Sequence, residues 1–341
     1  MEPVKTRAVS RLQAGRLDGS GIKVSNGWLR FDNRESFNKV MQELHEYEAR
    51  ELGKWESPYG EQGYQSLRAF YEQTDADQSE DRRALTVDSL IATNQILDCP
   101  DSWFATAISK DGFIQIADTV YSFKPGQENG EAYAVPDRHA QSLIKGQSPQ
   151  GLDGVKIHYT SFRAIPFPRW GETGDVTKGS RLRLPICLYP FGFMPNWWGQ
   201  SGDDIYAGDD NTVFPEHNGR QVKLNYHRWR VGYIFYASAG IRCKMWKHTR
   251  FAGWQSVTYA EEMIMESCVK GNVFIPGLPL FPFNEQTSPQ WPYFSRQTEN
   301  NFEKTMKWTG SGLFNEIILE HFNFHFKVNY RGRIVERNIR Q

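Results

Sequence analysis

Residues 222–266 read VKLNYHRWRVGYIFYASAGIRCKMWKHTRFAGWQSVTYAEEMIME, and this stretch decides the fold. Apolar, β-branched and aromatic residues alternate with polar ones over most of it, the period of a half-buried strand. The pattern predicts strands over 222–237, 241–250 and 254–266 in an antiparallel meander. Gly240 and Gly253 suit the tight turns between them. Arg242, Lys244, Lys247, His248 and Arg250 interleave with Met245, Trp246 and Phe251. That alternation places the cations on the wet face of an amphipathic sheet. A surface for anions or nucleic acid is the competing reading. Lys+Arg and Asp+Glu are both 40, so the net charge is zero. Nucleic-acid affinity rests on neutralising phosphates, so the balance argues against such a partner.

Downstream, 315–330 and 333–339 predict a closing hairpin around Arg331-Gly332. Pro276, Pro279, Pro282, Pro289 and Pro292 argue against regular sheet over 273–292. Upstream, 155–164 and 181–189 are strand-like, and 190–218 is a long loop rich in Gly, Pro, Asp and Trp. Pro149, Gly151 and Gly154 mark a boundary over 147–154. Before it, Phe37, Val40, Met41, Leu44 and Tyr47 fall at helical spacing over 33–52, capped by Asp32 or Asn33 and closed by Gly53. A loop follows over 54–64, then a short helix with Leu67, Phe70 and Tyr71. A polar turn or loop is expected over 74–82, and a third helix over 85–97. Residues 103–109 and 113–123 read as strands around the hairpin signal Lys110-Asp111-Gly112, with another turn at Ala117-Asp118. A short strand over 133–135 and a short helix over 136–144 complete this part. The expected class is α+β: a disordered lead-in over 1–27, a small helical and hairpin region over 28–147, and a mostly antiparallel β domain over 155–341.

The chain has 341 residues, enough to bury a core without staples. Aromatic residues make up 14% of it, with 11 Trp, 15 Tyr and 22 Phe. That abundance suits a β core, or an exposed platform for sugars or a protein partner. No run of apolar residues is long enough for a transmembrane helix. Residues 1–20 are polar and carry no secretory signal. Cys99, Cys187, Cys243 and Cys268 match no zinc spacing and read as buried thiols. One disulfide is compatible with export.

Candidate chemistry concentrates in 190–218. Asp203, Asp204, Asp209 and Asp210 lie among glycines and offer oxygens to calcium, without the spacing of an EF-hand. Trp197 and Trp198 stand beside them. Aromatic faces stack on sugar C–H groups, and carboxylates accept from hydroxyls, so the loop is a candidate glycan site. The same carboxylates with Glu216 would serve a glycosidase only if two face each other across a cleft. His321 and His325 alternate with Phe322, Phe324 and Phe326 as in a strand. Two strand steps put them about 13 Å apart, too far for one metal. Nucleophile elbows and phosphate-binding glycine loops are missing from the sequence.

Three segments carry a resemblance: WLRFDNRESFNKVMQELHEYE with WESPYGEQGYQSL (28–48, 55–67), DSWFATAISKDGFIQIADTVYSF (101–123) and YHRWRVGYIFYASAGIRCKMWKHTRFAGW (226–254). They resemble an uncharacterised family of exported and surface-lipoprotein proteins of Gram-negative bacteria, over roughly residues 28–265. The resemblance implies a helical lead, a hairpin and a basic-aromatic strand pair. It implies a secreted or surface location and carries no activity. The chain departs from that family in having neither the signal nor a lipid-anchor Cys near Met1. The expected function is non-enzymatic binding at the cell surface or outside the cell, with glycans or a surface protein as partner. A structural subunit of a surface assembly and a glycosidase are the alternatives. No cofactor is expected beyond a candidate calcium.

Overall fold

The computed structural model describes residues 21–76, 87–124, 131–159, 200–206, 214–216, 218–249, 253–255, 260–286 and 301–339. The chain opens with a hairpin of β1 (Ile22–Ser25) and β2 (Trp28–Phe31), turned by Asn26 and Gly27, both at positive φ. Helix α1 (Arg34–Leu44) follows under a reciprocal cap. Asn33 Oδ1 accepts from Ser36 N, and Ser36 Oγ accepts from Asn33 N. Its stripe of Phe37, Val40, Met41 and Leu44 is buried. Helices α2 (Leu52–Gly60), α3 (Leu67–Ala76), α4 (Val87–Ala92) and α5 (Ser102–Ala107) lead into β3 (Phe113–Ile116), β4 (Thr119–Phe123) and β5 (Glu131–Pro136). Short helix α6 (Ala140–Ile144) and the loop after it return the chain to β6 (Lys156–Tyr159).

These six strands form one sheet in the order β1 to β6. Only the β2–β3 pair is parallel, and the crossover between those strands runs through the five helices α1 to α5. Alternation along β4 shows the two faces. Tyr121 and Phe123 join the core with α1, α2 and α5, while Val120 packs with Trp28, Val135 and Leu143 of α6. The sheet therefore takes in Ile22–Ser25, ahead of residue 28, and Lys156–Tyr159, beyond Gly154.

The second sheet is built on long strands. Strand β7 (Gln200–Tyr206) pairs with β8 (Val222–Tyr233), β8 with β9 (Tyr236–Thr249), and β9 with both β10 (Gly253–Gln255) and a later strand. The third sheet contains β11 (Glu262–Phe274) and β12 (Phe281–Gln286). Strand β13 (Asn301–Thr309) returns to β9, and β14 (Glu316–Tyr330) with β15 (Arg333–Ile339) completes the third sheet in the order β12-β11-β14-β15. The second and third sheets enclose a common core of Leu224, Tyr226, Ile241 and Met245 against Met265, Phe322, Phe324 and Phe326. The fold is β-rich and mostly antiparallel.

The tip of the β8–β9 hairpin joins this core to the first. Even-numbered residues Val222, Leu224 and Tyr226 face the sheet-on-sheet core, whereas Trp229, Val231 and Tyr233 enter the helical core. Phe235, at the turn, is fully buried, with ring centroids 4.6 Å from Tyr121 and 5.1 Å from Phe37. Edge-to-face rings at this spacing add to the stabilisation from burial alone.

Several elements differ from what the sequence predicts. The first turn of the meander is at Ile234-Phe235, not Gly240. Gly240 instead lies within β9, because a Cβ there would sit 2.2 Å from the Trp229 ring. The 33–52 helix stops at Leu44, and Gly53 belongs to α2, which occupies the expected loop despite Pro58. Burial of Leu52, Trp55 and Tyr59 along one stripe outweighs the proline. Residues 102–107 are helical rather than extended. Asp101 caps the N–H groups of Trp103 and Phe104, and that local cap overrides the β preference of the aromatics. The β3–β4 turn falls at Ala117-Asp118, and Asp111-Gly112 only leads into β3. Strand β12 tolerates Pro282 because it is an edge strand. Residues 200–206 of the expected long loop form β7. The closing hairpin forms as predicted, with Arg331 and Gly332 both at positive φ.

Candidate functional site

Asp203 and Asp204 lie on β7, where the register with β8 slips between Gly202 and Ile205. Trp197, Trp198, Asp209 and Asp210 lie outside the described residues, as does Cys187. Glu216 is exposed, and its backbone carbonyl accepts from the Arg331 guanidinium at 2.9 Å. Among the described residues, no three His, Cys, Asp or Glu side chains gather into a metal-binding group. His325 is on a strand, as its alternation predicts, with Nδ1 3.1 Å from Glu266 Oε2 across the β11–β14 pair. Among the cations of β9, Lys244 has local partners. Lys244 Nζ is 3.1 Å from Asp75 Oδ2 and 4.2 Å from the Trp246 ring centre.

Titratable groups instead concentrate where α5 meets the β8–β9 hairpin. Asp101 has no exposed surface. Its Oδ1 accepts from the backbone N–H groups of Trp103 and Phe104 at 3.0 and 3.1 Å. Its Oδ2 accepts from the Tyr236 hydroxyl at 2.7 Å and from Ser238 Oγ. Ser238 Oγ in turn accepts from Trp229 Nε1 at 3.3 Å. The one phenol proton of Tyr236 goes to Asp101, so His45 Nε2, 3.2 Å from that oxygen, is the donor there. The His45 ring is stacked between Trp103 and Trp308, with centroids 5.4 and 5.0 Å away. Burial, with a smaller push from Lys304, lowers its pKa to about 3, so the ring is neutral. Next to this cluster, buried Glu303 accepts from Ser102 N at 3.0 Å and Ser102 Oγ at 2.6 Å. Burial raises the pKa of both acids against the hydrogen bonds they accept.

This constellation has the residue types of an acid–base site but not its access. Both Asp101 oxygens are engaged twice, and a reacting atom would have to displace one of those donors. What the arrangement does is clamp: it ties a helix N-terminus, a strand pair and α1 together through one carboxylate. No known family, curated protein or solved structure matches the chain.

Two surface features among the described residues stand apart from this cluster. A cavity of about 400 Å³ is lined by Phe70, Leu90, Ile96, Leu97 and Phe123, with Gln95, Lys110 and Asp111 also on its wall. The other lies at the end of the third sheet. Leu278 and Leu280 on the β11–β12 connection, Phe281 at the start of β12, and Leu313 and Phe314 on the β13–β14 connection are 42–51% exposed. The two connections flank β11 at the same end, since Val273 pairs with both Phe281 and Ile317. They touch: a Cβ on Gly312 would lie 2.6 Å from Ile275 Cγ2. A sequence signal for this feature exists in 275–283, IPGLPLFPF, which is apolar and uncharged where prolines predict an exposed turn.

Proposed function

We propose that the chain is a non-enzymatic binding protein acting at the cell surface or outside the cell, built as a helical and hairpin region followed by a mostly antiparallel β domain. The observation that carries this reading is the clustering of exposed apolar side chains. Five of the eight exposed large hydrophobic residues among those described lie on two adjoining turns or, for Phe281, at the strand start beside them, with the Phe314 ring also packed against His158 at 5.1 Å between centroids. Scattered exposed apolar residues are ordinary, but a contiguous patch marks an interaction surface. Cys268 is disulfide-bonded, which fits an oxidising compartment and hence export. Glycan recognition through Trp197, Trp198 and the neighbouring aspartates is a separate proposal that rests on sequence.

The test is sedimentation of the purified protein with a Gram-negative envelope fraction, which contains lipids, glycans and surface proteins together. The wild type is expected to pellet with the envelopes, and a Leu280→Ser/Phe314→Asn variant to stay in solution. A wild type that stays in solution would overturn this reading.

A further inference from the structure

We infer that the cavity between α3, α4 and the turn leading into β3 is a binding site for a zwitterionic small molecule, an α-amino acid with a large apolar side chain. The site lies on other elements than the apolar turns of the third sheet and goes beyond the surface-binding reading.

The interior of the cavity is apolar and reaches the helical core. Leu90, Ile96, Leu97 and Phe123, all at most 8% exposed, form its walls. The Phe123 ring packs edge-on against Phe104 and Tyr233, at 6.1 and 5.5 Å between centroids. At about 400 Å³ the cavity is near the lower end of the range for ligand pockets, so it suits a single small molecule rather than a polymer.

Both sides of the cavity are held by hydrogen bonds that keep the space open. On one side the Tyr71 hydroxyl donates to the Leu97 carbonyl and accepts from Cys99 N at 3.1 Å. Gln95 N donates to the Leu90 carbonyl at 2.8 Å and closes α4, with Asn94 at positive φ. On the other side lies the turn over 109–112. Lys110 N donates to the Gln65 carbonyl at 2.9 Å, and Phe123 N to the Gly112 carbonyl at 2.9 Å. Gly112 has a φ of +77°, and a Cβ there would lie 2.6 Å from the Phe123 carbonyl oxygen. Glycine thus lets the turn sit directly against Phe123.

That turn places two opposite charges at the mouth. Lys110 and Asp111 are exposed and border the cavity. Among the described residues neither side chain forms an ion pair, with the other or with a third group. An anionic amphiphile would be drawn by Lys110 and repelled by Asp111, and a cationic one the reverse. An α-amino acid carries its ammonium and carboxylate on one carbon, and adjacent residues carry their side chains on Cα atoms about 3.8 Å apart. Such a ligand pairs its carboxylate with Lys110 and its ammonium with Asp111 while its side chain enters the apolar space. Gln95, also on the wall, donates from Nε2 to Thr93 Oγ1 at 3.0 Å, which leaves its Oε1 to accept from the ammonium.

The experiment is a ligand-observed NMR titration of the full chain with L-phenylalanine at millimolar concentration. Phenylpropionate and phenethylamine, which each lack one of the two charges, are titrated alongside. Phenylalanine is expected to bind, and each analogue to bind about fivefold more weakly or less. Lys110→Gln is expected to weaken phenylalanine about fivefold without weakening phenethylamine, and Asp111→Asn to weaken phenylalanine equally without weakening phenylpropionate. Both positions are exposed and Asn suits a turn, so the variants should fold, and unchanged circular dichroism spectra verify that. The inference is overturned if phenylalanine does not bind, if either analogue binds as tightly, or if both variants keep the wild-type affinity.

Discussion

His45 shows how far packing moves a side chain from its ordinary chemistry. Both faces of its ring are covered by Trp103 and Trp308, and its pKa falls from 6.5 to about 3. In the unfolded chain the ring takes a proton near pH 6.5, whereas the folded protein refuses it down to about pH 3. The contribution of His45 is therefore fully present above pH 6.5 and is lost as pH falls toward 3. Allowing for the ring's residual exposure, it amounts to roughly 2–4 kcal/mol. Asp101 and Glu303 act in the opposite sense: with raised folded pKa values, their contribution is present at low pH and is lost as pH rises through those values. Comparing variants separates the two effects. Urea denaturation of His45→Phe, which keeps the stack, should show a weaker loss of stability between pH 6.5 and 3.5 than the wild type; equal slopes would show that His45 does not titrate as proposed. A second test at this scale concerns Trp197 and Trp198. On a glycan array, Trp197→Ala/Trp198→Ala should lose any sugar binding of the wild type, and unchanged affinity would remove the two residues from a glycan site.

At the scale of elements, the β8–β9 hairpin carries the most constraint. Its tip half is buried on both faces, so neither face admits extra volume. Gly240 is the tightest point, with the Trp229 ring on one side and the Lys304 carbonyl 2.6 Å from where a Cβ would be. Gly240→Ala should lower stability by roughly 3 kcal/mol, at the upper end of overpacking costs. A midpoint of thermal unfolding equal to that of the wild type would mean that the β9–β13 pairing can open without loss. Arg228 and Arg230 occupy the same strand, and their guanidiniums donate to the carbonyls of Phe322 and Ile317 in β14 at 2.8 and 3.1 Å. Two cations thus take the place of apolar residues where the second and third sheets meet. Hydrogen bonding by these cations offsets part of their desolvation, and burial pulls both pKa values down.

For the whole molecule, the shared hairpin predicts cooperative unfolding. Phe235 belongs to the helical core with Tyr233, Ile234 and Tyr236, and the same hairpin enters the sheet-on-sheet core at Ala237, Ala239 and Ile241. Phe235→Ala should cost about 3–5 kcal/mol, as aromatic truncations in cores do. It should lower the transitions seen by tryptophan fluorescence and by far-ultraviolet circular dichroism together. Separation of those two transitions would show that the two cores are independent. The thiols give a further global test. Cys99 and Cys243 are buried and free, whereas Cys268 is disulfide-bonded. Denatured without reductant, the chain should be alkylated at Cys99 and Cys243 but not at Cys268. Reduction should lower stability by about 2–4 kcal/mol.

By itself, the sequence determined the elements whose signals are local. The α1 stripe and its Asn33 cap, the Arg331-Gly332 hairpin and the strand character of 222–249 and of the start of β11 all follow from periodicity, capping and turn chemistry within a few residues. The net charge likewise weighed against a nucleic-acid partner. Tertiary structure decided the rest, because the deciding contacts join residues far apart in the chain. Asp101 makes a helix of an aromatic run that reads as a strand, and its other two donors come from β9. Trp229 forces glycine at position 240 within a strand, where sequence alone suggests a turn. The apolar character of 275–283 was legible, but its meeting with 310–315 was not. That proximity depends on β11 pairing with both β12 and β14, and strand register is set by the whole sheet rather than by either loop.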